Sequence, residues 1–251
     1  MADFAALVTA LAAVVSALIW PALIAGIMIG FRRPIRFILE KVPTFLDRTE
    51  KAKLGVVEFE LRKQAEEASS KPDSGRGEVS PEQIRSAAKI EFAARELPLS
   101  DLTSQVERLC IEYEMARSVL SSGPKRTKVM NEIMAQMRTI GPSVSFLLED
   151  FKSALSPGKR LAAIAMMQME PSKVDLHWLA ARFGSEAPFI FYQAALVLEA
   201  LARSSSGAKL QEVVDVAKHG MQRVESFDGE PDRNTLQVLA SIISGGSISK
   251  T

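Results

Sequence analysis

Residues 156–170 read SPGKRLAAIAMMQME, and residues 188–203 read PFIFYQAALVLEALAR. Each stretch has a proline at or next to its start and continues as a mostly apolar run of helical length. Within them, Leu161-Ala162-Ala163-Ile164 is followed 32 residues later by Gln193-Ala194-Ala195-Leu196. Paired alanines allow helices to pack closely, and a two-helix period of about 30 residues is typical of α-solenoids. These stretches therefore predict an all-α fold containing α-hairpins.

The same alternation of helices and breaks extends over residues 80–251. Ser80-Pro81-Glu82-Gln83 has the residues of a helix start, and Ser100 or Asp101 is expected to cap the following helix. That following helix has apolar residues in steps of three and four, namely Leu102, Val106, Leu109, Tyr113, Ala116 and Leu120. Further helices are predicted at residues 125–139, 143–155, 158–169, 173–183, 188–203, 209–224 and 232–244. We expect a HEAT-like α-hairpin solenoid, with a compact helical bundle as the alternative because stability usually needs three repeats.

The N-terminal part predicts a membrane anchor. Phe4–Phe31 contains 28 residues without a charge, more than the roughly 20 that a helix needs to cross a bilayer. A secretory signal peptide would have a basic start and a small-residue cleavage site, and neither is present here. A buried core helix is the other alternative. We therefore assign residues 1–31 to a transmembrane helix.

Charge and small residues around this span predict its orientation and contacts. Basic residues follow it and are expected to contact lipid headgroups on the cytoplasmic side, which leaves the N-terminus outside; they are Arg32, Arg33 and Arg36. A small-residue stripe inside the span, Ala22, Gly26 and Gly30, predicts helix pairing and a homo-oligomer. Such stripes also occur in membrane helices that do not pair.

Between the span and the body we predict two segments. Residues 32–67 are expected to be a juxtamembrane amphipathic segment that lies in the headgroup region, or else a solvated linker. Val57-Glu58-Phe59-Glu60-Leu61 alternates and predicts a short strand, whereas the helix formers around it favour a helix over residues 54–67. Residues 68–79 are rich in Ser, Gly, Pro and charge and predict a flexible linker.

Composition argues against several kinds of chemistry. The 31 basic and 30 acidic residues nearly cancel, so no basic field predicts a nucleic-acid partner. One cysteine, Cys110, and two histidines, His177 and His219, are too few and too far apart for a metal cluster or an evident catalytic pair. We expect no catalytic residue, no cofactor and no metal, and hence a protein that is not an enzyme. The methionines, ten in number, are expected mainly to fill the core.

Polar and aromatic side chains near the predicted repeat turns are the candidates for binding a partner. Solenoids commonly present such residues on a concave face. The alternative is that they form internal salt bridges and hydrogen bonds that hold neighbouring hairpins together. The candidates are Arg126, Arg138, Arg160, Trp178, Arg182, Glu186 and Tyr192.

Two segments resemble known bacterial modules. The first carries Tyr113-Glu114, Arg126-Thr127, Met137-Arg138, residues 156–163, Trp178-Leu179, Arg182, residues 186–189 and residues 192–195. On these residues Glu112–Arg203 resembles a HEAT-like helical module that some bacterial proteins join to effector domains in stress or phage-defence settings. That module often has His at the position of Gln193 and Glu at the position of Lys159. The second segment carries Trp20-Pro21, residues 31–35 and residues 57–60, and resembles a widespread bacterial membrane-anchor pattern.

These resemblances imply architecture and context rather than a reaction. Together with the residue patterns they predict a single-pass protein of the bacterial inner (plasma) membrane, with its helical body in the cytoplasm. The expected function is a scaffold or adaptor that recruits a cytoplasmic protein to that membrane. The alternative is an oligomerising effector that perturbs the membrane in a stress or phage-defence system.

Overall fold

The computed structural model describes residues 52–70, 79–228 and 232–248, with backbone alone over 246–248. They belong to a compact unit that begins at Lys53. These ranges contain helices and turns and no strand, which confirms the predicted all-α class for the part of the chain described. The predicted membrane span, its pairing residues and Arg32, Arg33 and Arg36 lie outside these residues, as does most of the predicted linker.

The helices follow one another with short connections. Helix α1 covers residues 52–70. It is followed by α2 (Pro81–Ala94), α3 (Leu99–Val119), α4 (Pro124–Ile140), a 3-10 helix (Gly141–Leu147), α5 (Leu148–Ser153), α6 (Pro157–Met169), a second 3-10 turn (Pro171–Lys173), α7 (Leu176–Arg182), α8 (Pro188–Ser204), α9 (Gly207–Glu225) and α10 (Arg233–Ile248). Within these described ranges, no helix has the length and apolar character needed to cross a bilayer.

The strand predicted at Val57–Leu61 is wrong, because these residues lie inside α1. Val57, Glu60, Leu61 and Gln64 are buried, and their spacing of three and four is that of one helix face. Phe59, which an alternating strand would bury with Val57 and Leu61, is 65 % exposed. The alternative prediction of a helix over residues 54–67 was the correct one, and α1 continues through residue 70 into the predicted linker.

The starts of α2 and α3 differ in how they are capped. Ser80 and Gln83 form the expected capping box, with the Gln83 N–H donating to Ser80 Oγ at 3.2 Å. The prediction that Ser100 or Asp101 caps α3 is wrong, because α3 already begins at Leu99, directly after Pro98. The Pro98 carbonyl instead accepts from the Asp101 N–H at 3.0 Å.

Two predicted helices start as a 3-10 helix and become α-helical only later. The segment predicted at residues 143–155 begins as a 3-10 helix and becomes α-helical only at Leu148, with Val144 outside helical φ/ψ. The segment predicted at 173–183 starts as a 3-10 turn, and α7 begins at Leu176. Asp175 caps α7 by accepting from the Trp178 N–H at 3.0 Å. Pro142 and Pro171 lack the N–H that a continuous helix would use.

The even-numbered helices pack in chain order: α2 on α4, α4 on α6, α6 on α8 and α8 on α10. Helix α6 also contacts α3, α5 and the first 3-10 helix. As a result, every residue from Leu161 to Gln168 is buried, on all sides of α6. This stretch of α6, from Leu161 to Gln168, carries no charge around its circumference, which suits such a central position. The core residues of α1, Val57 and Leu61, join the same hydrophobic cluster.

Candidate functional site

Three helices meet at a carboxylate placed just before α8. Glu186 accepts from the guanidinium of Arg160 on α6 through both of its oxygens, with Nη2 to Oε2 at 3.0 Å. Arg182 on α7 donates from Nη1 to Oε1 of the same carboxylate at 3.1 Å. All three side chains are largely shielded from solvent. We call Arg160, Arg182 and Glu186 the Glu186 cluster.

Further contacts tie this cluster to its surroundings. Arg160 Nη1 donates to the Ala154 carbonyl at 2.8 Å, after the end of α5. The Arg182 guanidinium lies 4.7 Å from the centre of the Trp178 ring, and Trp178 Nε1 donates to the Lys152 carbonyl at 3.1 Å. Four of the seven candidate residues therefore come together, and they bind one another across α5, α6, α7 and the start of α8.

A second polar group lies deeper, on three consecutive even-numbered helices. Arg138 on α4 donates from Nη2 to Gln193 Oε1 at 2.8 Å on α8, and from Nε to the Gln168 side chain on α6. Gln168 Nε2 donates to the Gln193 carbonyl at 2.9 Å. Burial lowers the pKa of Arg138 to about 10, against the opposing effect of Tyr192 nearby. Arg138 is therefore still a cation at neutral pH and lies beneath the surface.

The last two candidates occupy different places. Arg126, at the start of α4, is half-buried and donates from Nη2 to Ser122 Oγ at 2.6 Å. Tyr192 is half-buried on α8 and packs against the hydrophobic core. Arg126 thus donates to residues before α4, namely Ser122 and the Leu120 carbonyl, and Arg138 is buried. That the seven residues bind a partner remains a prediction.

The N-terminus of α6 is bound tightly by α3. Glu114 on α3 accepts from the Gly158 N–H at 3.1 Å and from Ser156 Oγ. A Cβ on Gly158 would lie 2.3 Å from the Cys110 carbonyl oxygen, so the two backbones are in direct contact. Lys159 Nζ donates to Glu107 Oε1 at 2.9 Å beside this contact. Glu114 and Ser156-Pro157-Gly158 are among the residues on which the resemblance to a bacterial helical module is based. In the structure they form the joint between α3 and α6.

The one cysteine of the chain lies at this joint, and the two histidines lie elsewhere. Cys110 is buried, and desolvation raises the pKa of its thiol to about 12 although Lys159 acts in the opposite direction. The thiol is therefore protonated at neutral pH and is a poor nucleophile. His177 and His219 are both exposed, on α7 and α9. Among the residues described, no group of three or more His, Cys, Asp or Glu is placed to hold a metal ion.

Most of the methionines in the described part of the chain are in the core, as predicted. Met130, Met134, Met137, Met166 and Met167 are buried. Met115 is instead 57 % exposed on α3.

Two exposed apolar surfaces were missed in the sequence. The first, which we call the α3 stripe, consists of Ile111, Met115 and Val119, spaced four residues apart on the outside of α3. The second, which we call the hairpin patch, consists of Val56 and Phe59 on α1 and Phe92 on α2. The spacing of four between Ile111, Met115 and Val119 is visible in the sequence. The longer apolar stripe on the same helix, which includes Leu102, Val106 and Leu109, predicts only the buried face.

A cleft lies where α7 and α9 end. Its volume is about 460 Å³, and it is lined by Phe183, Gly184, Ser185, Arg223, Ser226, Phe227 and Asp228. Arg223 is turned toward the Phe183 carbonyl at 3.5 Å. The cleft is open, and its serine hydroxyls donate to nearby carbonyls, Ser185 to Ala181 and Ser226 to Arg223.

Comparisons of the chain with protein-family models, with curated proteins and with solved structures gave no match in any of the three.

Proposed function

We propose that the chain is a single-pass protein of the bacterial inner membrane whose cytoplasmic helical body is a scaffold for a soluble protein. The observation that carries this proposal is the α3 stripe, an apolar surface on a body in which three of the five charged candidates, Arg160, Arg182 and Glu186, bind one another. The anchor is inferred from the uncharged run Phe4–Phe31 and the basic residues after it. In this proposal the protein has no catalytic activity of its own.

The α3 stripe has the dimensions of a helix-binding surface. Ile111, Met115 and Val119 are 59 %, 57 % and 74 % exposed. Residues at i, i+4 and i+8 lie nearly in line along one side of a helix. Together they expose roughly 300 Å² of apolar surface, the size of a small functional patch. An amphipathic helix of a partner fits such a stripe, and the flexible Met115 side chain allows adjustment to its shape.

The Glu186 cluster supports an internal role for most of the candidate charges. Arg160 and Arg182 share one carboxylate and also bind a carbonyl or an aromatic ring within the same body. If Arg160 and Arg182 bound a partner instead, the buried Glu186 carboxylate and the two guanidinium groups would lose their ion pairs. This loss would cost several kcal/mol. The α3 stripe carries no such cost, because its side chains are already exposed.

We also propose that the body is a row of α-hairpins whose middle is closed around α6. The packing of α2, α4, α6, α8 and α10 in chain order supports the HEAT-like connectivity. The burial of α6 on every side supports the compact-bundle alternative for the centre. A concave groove along α6 is then not the binding surface, and we place that surface on the outside of α3.

Site-specific photo-cross-linking tests this function. A photoreactive residue at Met115 of the full chain, in a bacterial host, should give a product with one protein of a different mass. Met115→Asp places a charge in the stripe and should reduce co-purification of that protein at least tenfold. Leu155→Asp is the matched control, because Leu155 is 96 % exposed on the turn before α6 and outside the stripe. Equal loss with both variants, or no product at position 115, contradicts the proposal.

Expression of the full chain separates the scaffold from the membrane-perturbing effector. The scaffold predicts unchanged growth and membrane potential on induction. Depolarisation that Gly26→Leu abolishes would contradict the scaffold and indicate an effector acting through paired spans. Membrane fractionation of the same cells tests the anchor, which predicts that the protein sediments with the membranes and resists extraction by salt or alkaline carbonate.

A further inference from the structure

We propose that the hairpin patch of α1 and α2 is the surface through which two copies of this chain associate. The proposal concerns a different face from the α3 stripe, and it requires no soluble partner. It rests on the register of the two helices, the size of the patch and the charges at its edge.

Polar contacts between α1 and α2 set their register. Lys53 pairs with Glu96, Lys89 Nζ lies 3.0 Å from Glu60 Oε1, and Ser86 Oγ donates to Glu60 Oε2 at 2.8 Å. Gln64 Nε2 also donates to Ser86 Oγ at 3.1 Å. As residue numbers rise along α1 they fall along α2, so the helices are antiparallel. This register places Val56 level with Phe92, and Phe59 about one turn further along the hairpin.

The two phenylalanines point away from the core. Phe59 is two residues from the buried Leu61, and Phe92 is two residues from the buried Ile90. Two residues along an α-helix correspond to a rotation of about 200°, so each ring is on the side opposite its buried neighbour. Phe59 is 65 % and Phe92 73 % exposed. The rings therefore extend the outer face of one hairpin.

The size of the patch matches one half of a small protein interface. A phenylalanine ring that is two-thirds exposed contributes about 150 Å² of apolar surface. With Val56, the patch offers roughly 350 Å² per copy, about the same as the α3 stripe. Two copies would bury about 700 Å² of apolar surface, and the polar edge would add to it. The total is then at the low end of specific protein interfaces.

The charges of the hairpin favour a second copy over a lipid or nucleic-acid surface. Residues 53–96, apart from 71–78, carry the cations Lys53, Arg62, Lys63, Arg85, Lys89 and Arg95, and the anions Glu58, Glu60, Glu66, Glu67, Glu82, Glu91 and Glu96. Anionic lipids and nucleic acids both select a clear excess of cations. In a symmetric dimer the same surface contributes both halves, so near-neutrality with both signs at the edge avoids self-repulsion.

Cysteine cross-linking of the full chain tests the contact directly. Phe59→Cys and Phe92→Cys each place one accessible thiol in the patch, whereas the native Cys110 is buried. A cell-permeable bismaleimide, added to bacteria that express either variant, should give a product of twice the chain mass. Leu155→Cys is the control at an equally exposed position elsewhere and should stay at the monomer mass. A product of any other mass, or no product from both patch variants, overturns the proposal.

Opposite charges provide the second measurement. Phe59→Lys with Phe92→Lys, and Phe59→Glu with Phe92→Glu, should each reduce self-association at least tenfold, because like-charged patches repel. Co-expressed with different tags, the two double variants should co-purify and regain most of that association. The substituted side chains are exposed, so unchanged thermal unfolding by circular dichroism serves as the folding control.

The outcomes separate this proposal from the function proposed above. If the oppositely charged variants fold but do not associate, the hairpin patch is not a self-association surface. Met115→Asp is expected to leave the cross-linked dimer unchanged. A dimer that disappears with Met115→Asp but persists with the charged patch variants would place the interface on α3 and overturn the assignment to α1 and α2.

Discussion

The contacts α3–α6 and α1–α2 join neighbouring helices by different means. At α3–α6, the backbone at Gly158 touches the backbone at Cys110, and a glycine is the only residue that leaves space. At α1–α2, Glu60, Ser86 and Lys89 bridge the helices through side chains. Backbone contact depends on shape alone and is intolerant of added volume, whereas the polar contact depends on protonation and tolerates change.

The electrostatics of the α1–α2 contact reflect this difference. Burial by itself would raise the pKa of Glu60, but hydrogen bonds from Lys89 and Ser86 and the nearby cations outweigh it and lower the pKa. A hydrogen bond from Lys53 likewise lowers the pKa of Glu96. The hairpin is therefore sensitive to acid. The α3–α6 contact also contains carboxylates, Glu107 and Glu114, but its direct backbone contact makes it sensitive to added volume as well.

Gly158→Ala should produce the largest effect. The new Cβ would lie 2.3 Å from the Cys110 carbonyl oxygen and 2.8 Å from the Cys110 carbonyl carbon, and both are backbone atoms. Separating the helices would open the central packing of α6, so we expect a loss of about 3 kcal/mol in the free energy of unfolding. Urea denaturation measures it.

Gly141→Ala is the matched control for that variant. Its Cβ would lie 3.5 Å from Met166 Cα, an ordinary contact next to the same helix. We expect a change below about 1 kcal/mol. Equal effects of the two substitutions would contradict a backbone contact between α3 and α6.

Glu186→Gln tests whether the charge of the Glu186 carboxylate also stabilises the packing around α6. The variant keeps the shape but removes the carboxylate shared by Arg160 and Arg182, which stay buried. We expect a loss of about 2–3 kcal/mol in the free energy of unfolding. Glu112→Gln, in the exposed pair of Arg108 and Glu112 at 3.7 Å, should change it by less than about 0.5 kcal/mol. A small effect at Glu186 would return that residue to the group of partner-binding candidates.

Gly220→Ala shows how a clash with a side chain compares with the clash with backbone at Gly158. Its Cβ would lie 2.9 Å from Cδ2 of the buried Phe183 ring, so the clash is with a side chain and not with backbone. Alanine also favours the helix at this position in α9. We expect a loss of about 1 kcal/mol, clearly less than for Gly158→Ala, in the same denaturation experiment. A loss equal to that of Gly158→Ala would show that the Phe183 ring is as immobile as backbone.

The sequence was sufficient for the helices whose boundaries depend on local residues. Helix α2 follows from the Ser80 capping box, and α8 follows from Pro188 and the long apolar run after it. The predicted boundaries were wrong where the local residue pattern and the tertiary packing favoured different structures. At Val57–Leu61 the alternation of the sequence is real, but burial of Val57, Glu60 and Leu61 on one face decides for a helix.

The candidate site was predictable in its residues but not in its pairings. Arg160, Arg182 and Glu186 were recognised as polar residues near turns, yet 26 positions separate Arg160 from Glu186, and only the packing of α6 against α8 brings them together. The contact of Gly158 with Cys110 has no local signal either, because a glycine near a helix start is also typical of a solvent-exposed turn. Long-range contacts of this kind follow from the tertiary arrangement.

Glu60→Gln is expected to weaken the α1–α2 contact by about 1 kcal/mol at neutral pH, since the hydrogen bond from Lys89 loses its charged acceptor. A lowered carboxyl pKa stabilises the fold above the pKa of the unfolded chain, about 4.3. That stabilisation is lost as the pH falls through the lower pKa of the folded state. Denaturation at pH 7 and pH 3 should therefore show the difference between wild type and variant shrinking in acid. Glu58→Gln, exposed on the same helix, is the control that should show no such trend.

Gly55→Ala should have the smallest effect and the opposite sign. Gly55 is exposed inside α1, and a Cβ there would meet nothing within 4 Å. Alanine favours a helix over glycine by about 0.5–1 kcal/mol and reduces the freedom of the unfolded chain. If α1 unfolds together with the body, as the burial of Val57 and Leu61 in the common core suggests, this gain should raise the global free energy of unfolding measured by hydrogen exchange at core amides of α6. A gain confined to the amides of α1 would mean that the α1–α2 hairpin opens separately from the rest of the body. The polar contact between α1 and α2 would then be less cooperative with the body than the backbone contact between α3 and α6, as well as weaker in energy.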